Sequence, residues 1–138
     1  MKKFELTNEF ITNSCGVKLF RIKALITLPS VKAGELGGYI EKEGNLSQYG
    51  DAWVSGDAQV SGNAQVSGNA RVYDNAQVSG NARVYGNAWV YDNAWVCGNA
   101  WVSGDALVCG ADASTGRLHS SGIRSGRHME KQRRHKNI

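Results

Sequence analysis

From Asp51 to Gly110 one six-residue phrase, [DN]-A-x-V-x-[GD], recurs ten times without insertion or deletion. Ala fills its second place at every recurrence, from Ala52 to Ala106, and Val its fourth, from Val54 to Val108. A short period repeated without interruption dictates a solenoid, in which each unit is buried only by its neighbours. Side chains alternate along a strand, so Ala and Val two places apart share one face. Residues in the third and fifth places, such as Trp53 and Ser55 or Arg71 and Tyr73, face the other way. Each phrase ends in Gly-Asn, Gly-Asp or Asp-Asn, residues that tolerate positive φ and bend the chain sharply. The unit therefore reads as a strand of about four residues and a two-residue corner. A helix is excluded, because no apolar stripe of period 3.6 exists and a turn-forming residue falls at the end of every phrase.

A longer period lies inside the short one. The segments RVYDNAQVSGNARVYGNA from Arg71 and WVYDNAWVCGNAWVSGDA from Trp89 carry Tyr-Asp-Asn-Ala at the same offset, eighteen residues apart. Eighteen residues are three phrases, so one coil has three sides and three corners. Parallel stacking then sets residues i and i+18 about 4.8 Å apart. The Ala and Val rows fill a narrow triangular interior that admits only small side chains. Asn63, Asn81 and Asn99 should form one corner ladder of amides, and Asn69 and Asn87 another.

This pattern resembles the hexapeptide-repeat proteins that form left-handed parallel β-helices, where an aliphatic residue follows a small one by two places, as Val60 follows Ala58. The likeness covers 60 of 138 residues, and it is the resemblance that implies left-handedness. Further upstream, VKAGELGGYIEKEGNLSQYGDAWV (Val31 to Val54) is similar to the leading segment of bacterial and prophage-encoded members labelled acetyltransferases or polymer-forming proteins. The expected fold is all-β: a single-stranded, three-sided, left-handed parallel β-helix of about three and a half coils with an N-terminal hairpin cap.

Residues 1–32 read as that cap. Phe4 to Ile11 forms one arm, Asn13 to Gly16 the turn and Val17 to Leu28 the other arm, closed by Pro29. A solenoid needs such a cover because its first coil exposes unpaired backbone groups. Phe4, Leu6, Phe20, Ile22 and Leu25 are expected to lie over that coil. Gly38, Gly44 and Gly50 already keep the six-residue beat, so the β-helix is placed at 33–111, with regular phrases at 51–110. Residues 112–138 hold few large aliphatic residues, too few to offset chain entropy, and are expected to be largely disordered. Relatives continue into a further folded part that this segment does not resemble, as a truncated or out-of-frame end would give.

Charge divides at the same boundary. Residues 1–110 carry nine Lys and Arg against ten acidic residues, while 111–138 carry seven against two. The net charge of +4 therefore belongs to the tail. A basic tail can contact nucleic acid through phosphates, but seven cations without interleaved aromatics give weak, salt-sensitive binding. No apolar run approaches the ~20 residues of a membrane span, and Met-Lys-Lys is not followed by a signal-peptide core. The three cysteines, Cys15, Cys97 and Cys109, fit no metal spacing, and Cys97 and Cys109 fall on different sides of the prism. A reducing, cytoplasmic setting fits them.

The resemblance invites an acyltransferase reading. Those enzymes bind an acyl-thioester cofactor between subunits and use a histidine as general base, near a loop that interrupts the coils. Here the phrases have no loop and no histidine, since His119, His128 and His135 all follow them. No catalytic residue and no cofactor are therefore assigned. Asp74 and Asp92 should stack at one corner and form a weak metal candidate, with too few oxygen ligands for a full site. The informative residues are the outward ones. Trp89, Trp95 and Trp101 put one indole on each side of the last complete coil, with Leu107 following. Arg71 beneath Trp89 suits a cation–π contact, and Tyr73 beneath Tyr91 a stacked pair. An aromatic band of this kind marks association, so the expected role is a non-enzymatic structural or interaction module that forms homo-oligomers or engages a protein partner.

Overall fold

The computed structural model describes residues 2–109, 112–113 and 117–119. The chain opens with β1 (Phe4–Thr12), β2 (Lys18–Ala24) and β3 (Leu36–Ile40), followed by one 3-10 turn at Glu43–Asn45. Each phrase then supplies one short strand: β4 (Trp53–Val54), β5 (Gln59–Val60), β6 (Gln65–Val66), β7 (Arg71–Val72), β8 (Gln77–Val78) and β9 (Arg83–Val84). The series continues with β10 (Trp89–Tyr91), β11 (Trp95–Val96), β12 (Trp101–Ser103) and β13 (Leu107–Cys109), then β14 (Asp112–Ala113) and β15 (Arg117–His119). These strands stack in parallel as a three-sided β-solenoid. One side holds β4, β7, β10 and β13, a second β6, β9, β12 and β15, and the third β3, β5, β8, β11 and β14.

The six-residue phrase explains this geometry directly. All ten Ala and all ten Val are sealed from solvent. Coils pair in register at the eighteen-residue offset, Gln59 with Gln77 and Trp89 with Leu107. Glycines turn the corners with positive φ, and a Cβ at Gly80 or Gly86 would press on the backbone one coil above at 2.9 or 2.8 Å. The third corner starts with Gly56 and continues with Asp74 and Asp92, at φ 59 and 57. Asn63, Asn81 and Asn99 are linked amide to amide at 3.4 Å, and Asn69 reaches Asn87 at 3.3 Å.

β1 and β2 form an antiparallel hairpin, whose turn is held by Asn13 Oδ1 accepting from the N–H groups of Cys15 and Val17. β2 pairs with β3, so the hairpin extends the third side into a seven-stranded sheet. Phe4 and Ile22 join the core and Leu6 packs against it. Leu25, expected over the first coil, is instead 39% exposed, and Leu19 is buried in the hairpin. Ile22 and Ala24 face inward, so strand alternation turns Leu25 outward, and Phe20, also expected there, lies against Phe10 outside the core cluster.

The early glycine beat also reads differently in three dimensions. Tyr39 pairs with Gln59 and Leu46 with Val66, so the first coil is two residues longer than the others. Gly38 lies in β3 and Gly44 in the 3-10 turn; of the three, Gly50 alone turns a corner with positive φ. At the other end the offsets shorten, Trp95 pairing with Asp112 and Trp101 with Arg117. Stacking thus continues past 111 in two short strands, including His119, whose backbone pairs with Ser103. The remaining part of 112–138, where disorder and nucleic-acid contact were expected, lies outside the described residues.

Polar side chains replace the missing coil beneath the first one. Within the stack, alternate backbone donors reach carbonyls of the coil above, as Gln59 N does to Ala76 O at 3.0 Å and Ser61 N to Val78 O at 2.9 Å. At the base, buried Lys3 donates through Nζ to Ala52 O at 2.8 Å and to Gly50 O at 3.4 Å. Buried Asn45 donates to Ala64 O at 2.9 Å and Gly62 O at 3.2 Å, while its Oδ1 accepts from Glu41 N and Lys42 N.

Burial lowers the Lys3 ammonium pKa to about 8, partly offset by the Asp51 carboxylate. A pKa lower in the folded than in the unfolded chain means that charging this group opposes folding. Its penalty is complete below pH 8 and vanishes as pH rises through the unfolded value of 10.5. The neutral amine keeps its donors. Relative to Lys3→Met, the wild-type chain should therefore gain stability between pH 8 and 10, read as a growing difference in urea midpoints. A constant difference would remove Lys3 from the titration.

Candidate functional site: the aromatic coil and its clefts

The three outward indoles of the last complete coil fall on three different sheets, through β10, β11 and β12. They are not equivalent. Arg71 lies over the Trp89 ring at 5.4 Å, and Tyr73 meets Trp89 edge-on at 6.1 Å while stacking on Tyr91 at 5.2 Å. The same arrangement recurs around the prism, with Arg83 over Trp101 at 5.7 Å and Tyr85 edge-on to it at 6.5 Å. That second cluster was readable, since Arg-Val-Tyr at 83–85 precedes Trp-Val-Ser at 101–103 by eighteen residues. Trp95 differs. It pairs with Gln77, is 47% exposed, and has no ring or cation packed on it among the described residues.

Leu107 sits directly above Trp89 and is half-buried. Trp53, in the same third place as the others, is only 2% exposed. It points outward from the coil, but the N-terminal segment covers it: Phe4 meets its ring edge-on at 6.4 Å, and Gly37 lies against it. Its Nε1 is buried without an acceptor.

Two clefts flank these clusters. One, of about 310 Å³, is lined by Ser30, Trp53, Ser55, Arg71 and Tyr73. The other, of about 230 Å³, is lined by Gln65, Ser67, Arg83, Tyr85 and Trp101. Burial raises the Tyr73 phenol pKa, helped by the nearby Asp74 and Asp92 charges, so the hydroxyl stays protonated. At the corner itself, one Asp74 oxygen accepts from Asp92 N at 3.3 Å. The two residues share one corner, with the Asp74 carboxylate on the Asp92 backbone, and the described residues hold no group of three or more His, Cys, Asp or Glu arranged for a metal. Cys97 follows the Gln77–Trp95 side and Cys109 pairs with Tyr91 on another.

The coil sequence is similar to the YdcK β-solenoid repeat, whose family model matches residues 64–80 and 76–92. The chain carries β-solenoid repeats. Those two matches overlap and cover the regular middle coils, including Arg71, Tyr73 and Trp89. Among curated proteins, no significant match is found. No helix among the described residues is long and apolar enough to cross a membrane.

Proposed function

We propose that the protein is a structural or interaction module that self-associates through the solenoid side bearing Trp95. The observation that carries this reading is the contrast among the three indoles. Trp89 and Trp101 are engaged by an Arg and a Tyr of the coil below, which accounts for them as staples between coils. Among the described residues no ring or cation gives Trp95 such a role, and it leaves a large apolar ring to solvent. The outward residues of its regular strands, Gln59, Ser61, Gln77, Ser79 and Cys97, are uncharged, while the other two sides carry Arg71 and Arg83; charge enters this side only beyond them, at the hairpin end and at Asp112. An uncharged stretch meets a second copy of itself without like-charge conflict, as a two-fold contact requires. A bacterial or prophage setting, left-handed coiling and kinship with the hexapeptide-repeat family rest on the sequence resemblance.

Trp95→Gln should leave the melting temperature nearly unchanged and reduce the mass seen by light scattering to that of one chain. The double variant Trp89→Gln/Trp101→Gln should do the reverse. It loses two cation–π and edge contacts, ~1–2 kcal/mol together, and keeps the oligomer. An oligomer that survives Trp95→Gln would overturn the assignment.

A further inference from the structure

We propose that the cleft between the Pro29–Ser30 turn and the β4–β7 side binds a carboxylated sugar unit, with Arg71 holding the carboxylate. The cleft has about 310 Å³, at the small end of ligand sites and suited to one pyranose ring. Arg71 makes no ion pair among the described residues. Its guanidinium lies over the Trp89 ring at 5.4 Å, a contact that uses none of its N–H donors on another acceptor and leaves them for an oxyanion. Ser30, Ser55 and Tyr73 also line the space, and their hydroxyls make no hydrogen bond among the described residues. Each can both donate and accept, as the hydroxyls of a sugar do. The Trp53 indole contributes an apolar wall.

The second cleft sharpens the assignment, because it repeats half of the site. Ser67, Arg83 and Tyr85 stand where Ser55, Arg71 and Tyr73 stand, but Gln65 replaces Trp53 and no N-terminal turn closes the space. A site built only from the coil pattern would therefore bind equally at both places. A site that needs Trp53 and Ser30 binds at one.

Calorimetry and tryptophan fluorescence on the full chain test this, with glucuronate as the probe and glucose as the neutral control. An oligogalacturonide distinguishes a free acid from a unit within a chain, and saturation by either supports the site. The expected result is one equivalent bound, no response to glucose, and affinity at least tenfold weaker in Arg71→Gln. Ser30→Ala lies outside the coils and should also weaken binding, which keeps the test valid if Arg71→Gln disturbs folding. Arg83→Gln and Trp95→Gln should bind normally, so the result does not depend on self-association. No saturation below about 10 mM, an equal response to glucose, or full affinity in Arg71→Gln and Ser30→Ala would overturn the proposal.

Discussion

Asn45→Ala is expected to destabilise the protein by ~3–5 kcal/mol, an unusually large loss for removing one amide. The side chain has no solvent exposure and makes four hydrogen bonds to backbone groups. Truncation strands the carbonyls of Gly62 and Ala64 and the N–H group of Lys42, while the Glu41 N–H keeps Val60 O at 3.0 Å. Each buried group left unsatisfied costs ~1–3 kcal/mol, discounted where water enters the space. Asn45→Asp should be worse. It keeps the acceptor but turns a carboxylate oxygen toward two carbonyls that need a donor. Urea unfolding of both variants checks the order. A loss below ~1 kcal/mol for Asn45→Ala would mean that water seals the first coil as well as the amide does.

The second large effect is expected at Gly37, where the hairpin sheet joins the coils. A Cβ there would lie 2.5 Å from Val54 O, 2.7 Å from Ile22 Cγ1 and 2.8 Å from Trp53 Cζ2. Backbone, core and covered indole would all be struck at once, and none is the free end of a flexible side chain. Gly37→Ala should therefore cost ~3 kcal/mol or more and expose Trp53, seen as a red-shifted fluorescence. Gly44 supplies the contrast, since a Cβ there meets nothing within 4 Å and its φ lies outside the left-handed region. Gly44→Ala should stay within ~0.5 kcal/mol of wild type. Equal losses at the two glycines would contradict the steric account.

The regular coils were legible because one residue pattern fixes period, facing and corner together. Ala58 and Val60 face inward, Asn63 meets Asn81, and Arg71 meets Trp89 because the period holds without error across those places. Legibility ends where the period does. The burial of Trp53 depends on Phe4 and Gly37, which are distant in sequence and outside the phrase. Leu25 turns outward because Ile22 and the small Ala24 take the inward places of that arm, and residue size alone does not reveal this facing. Nothing in the sequence marks Lys3 and Asn45 for burial, and only the unpaired carbonyls of a first coil explain why they are buried.

For the candidate site, the sequence pointed to the coil of Trp89, Trp95 and Trp101 and treated its three indoles as alike. What separates them is the residue one coil below: Arg71 under Trp89, Arg83 under Trp101 and Gln77 under Trp95. Those pairs follow from the eighteen-residue offset. Their consequence does not, because a staple and a bare ring differ only in whether a cation and a phenol reach across.

The mass of the full-length wild-type chain in solution tests the central claim most directly. Light scattering over a range of concentrations should give a whole multiple of 14.9 kDa, with the multiple lost in Trp95→Gln. A mass of 14.9 kDa at every concentration would contradict it.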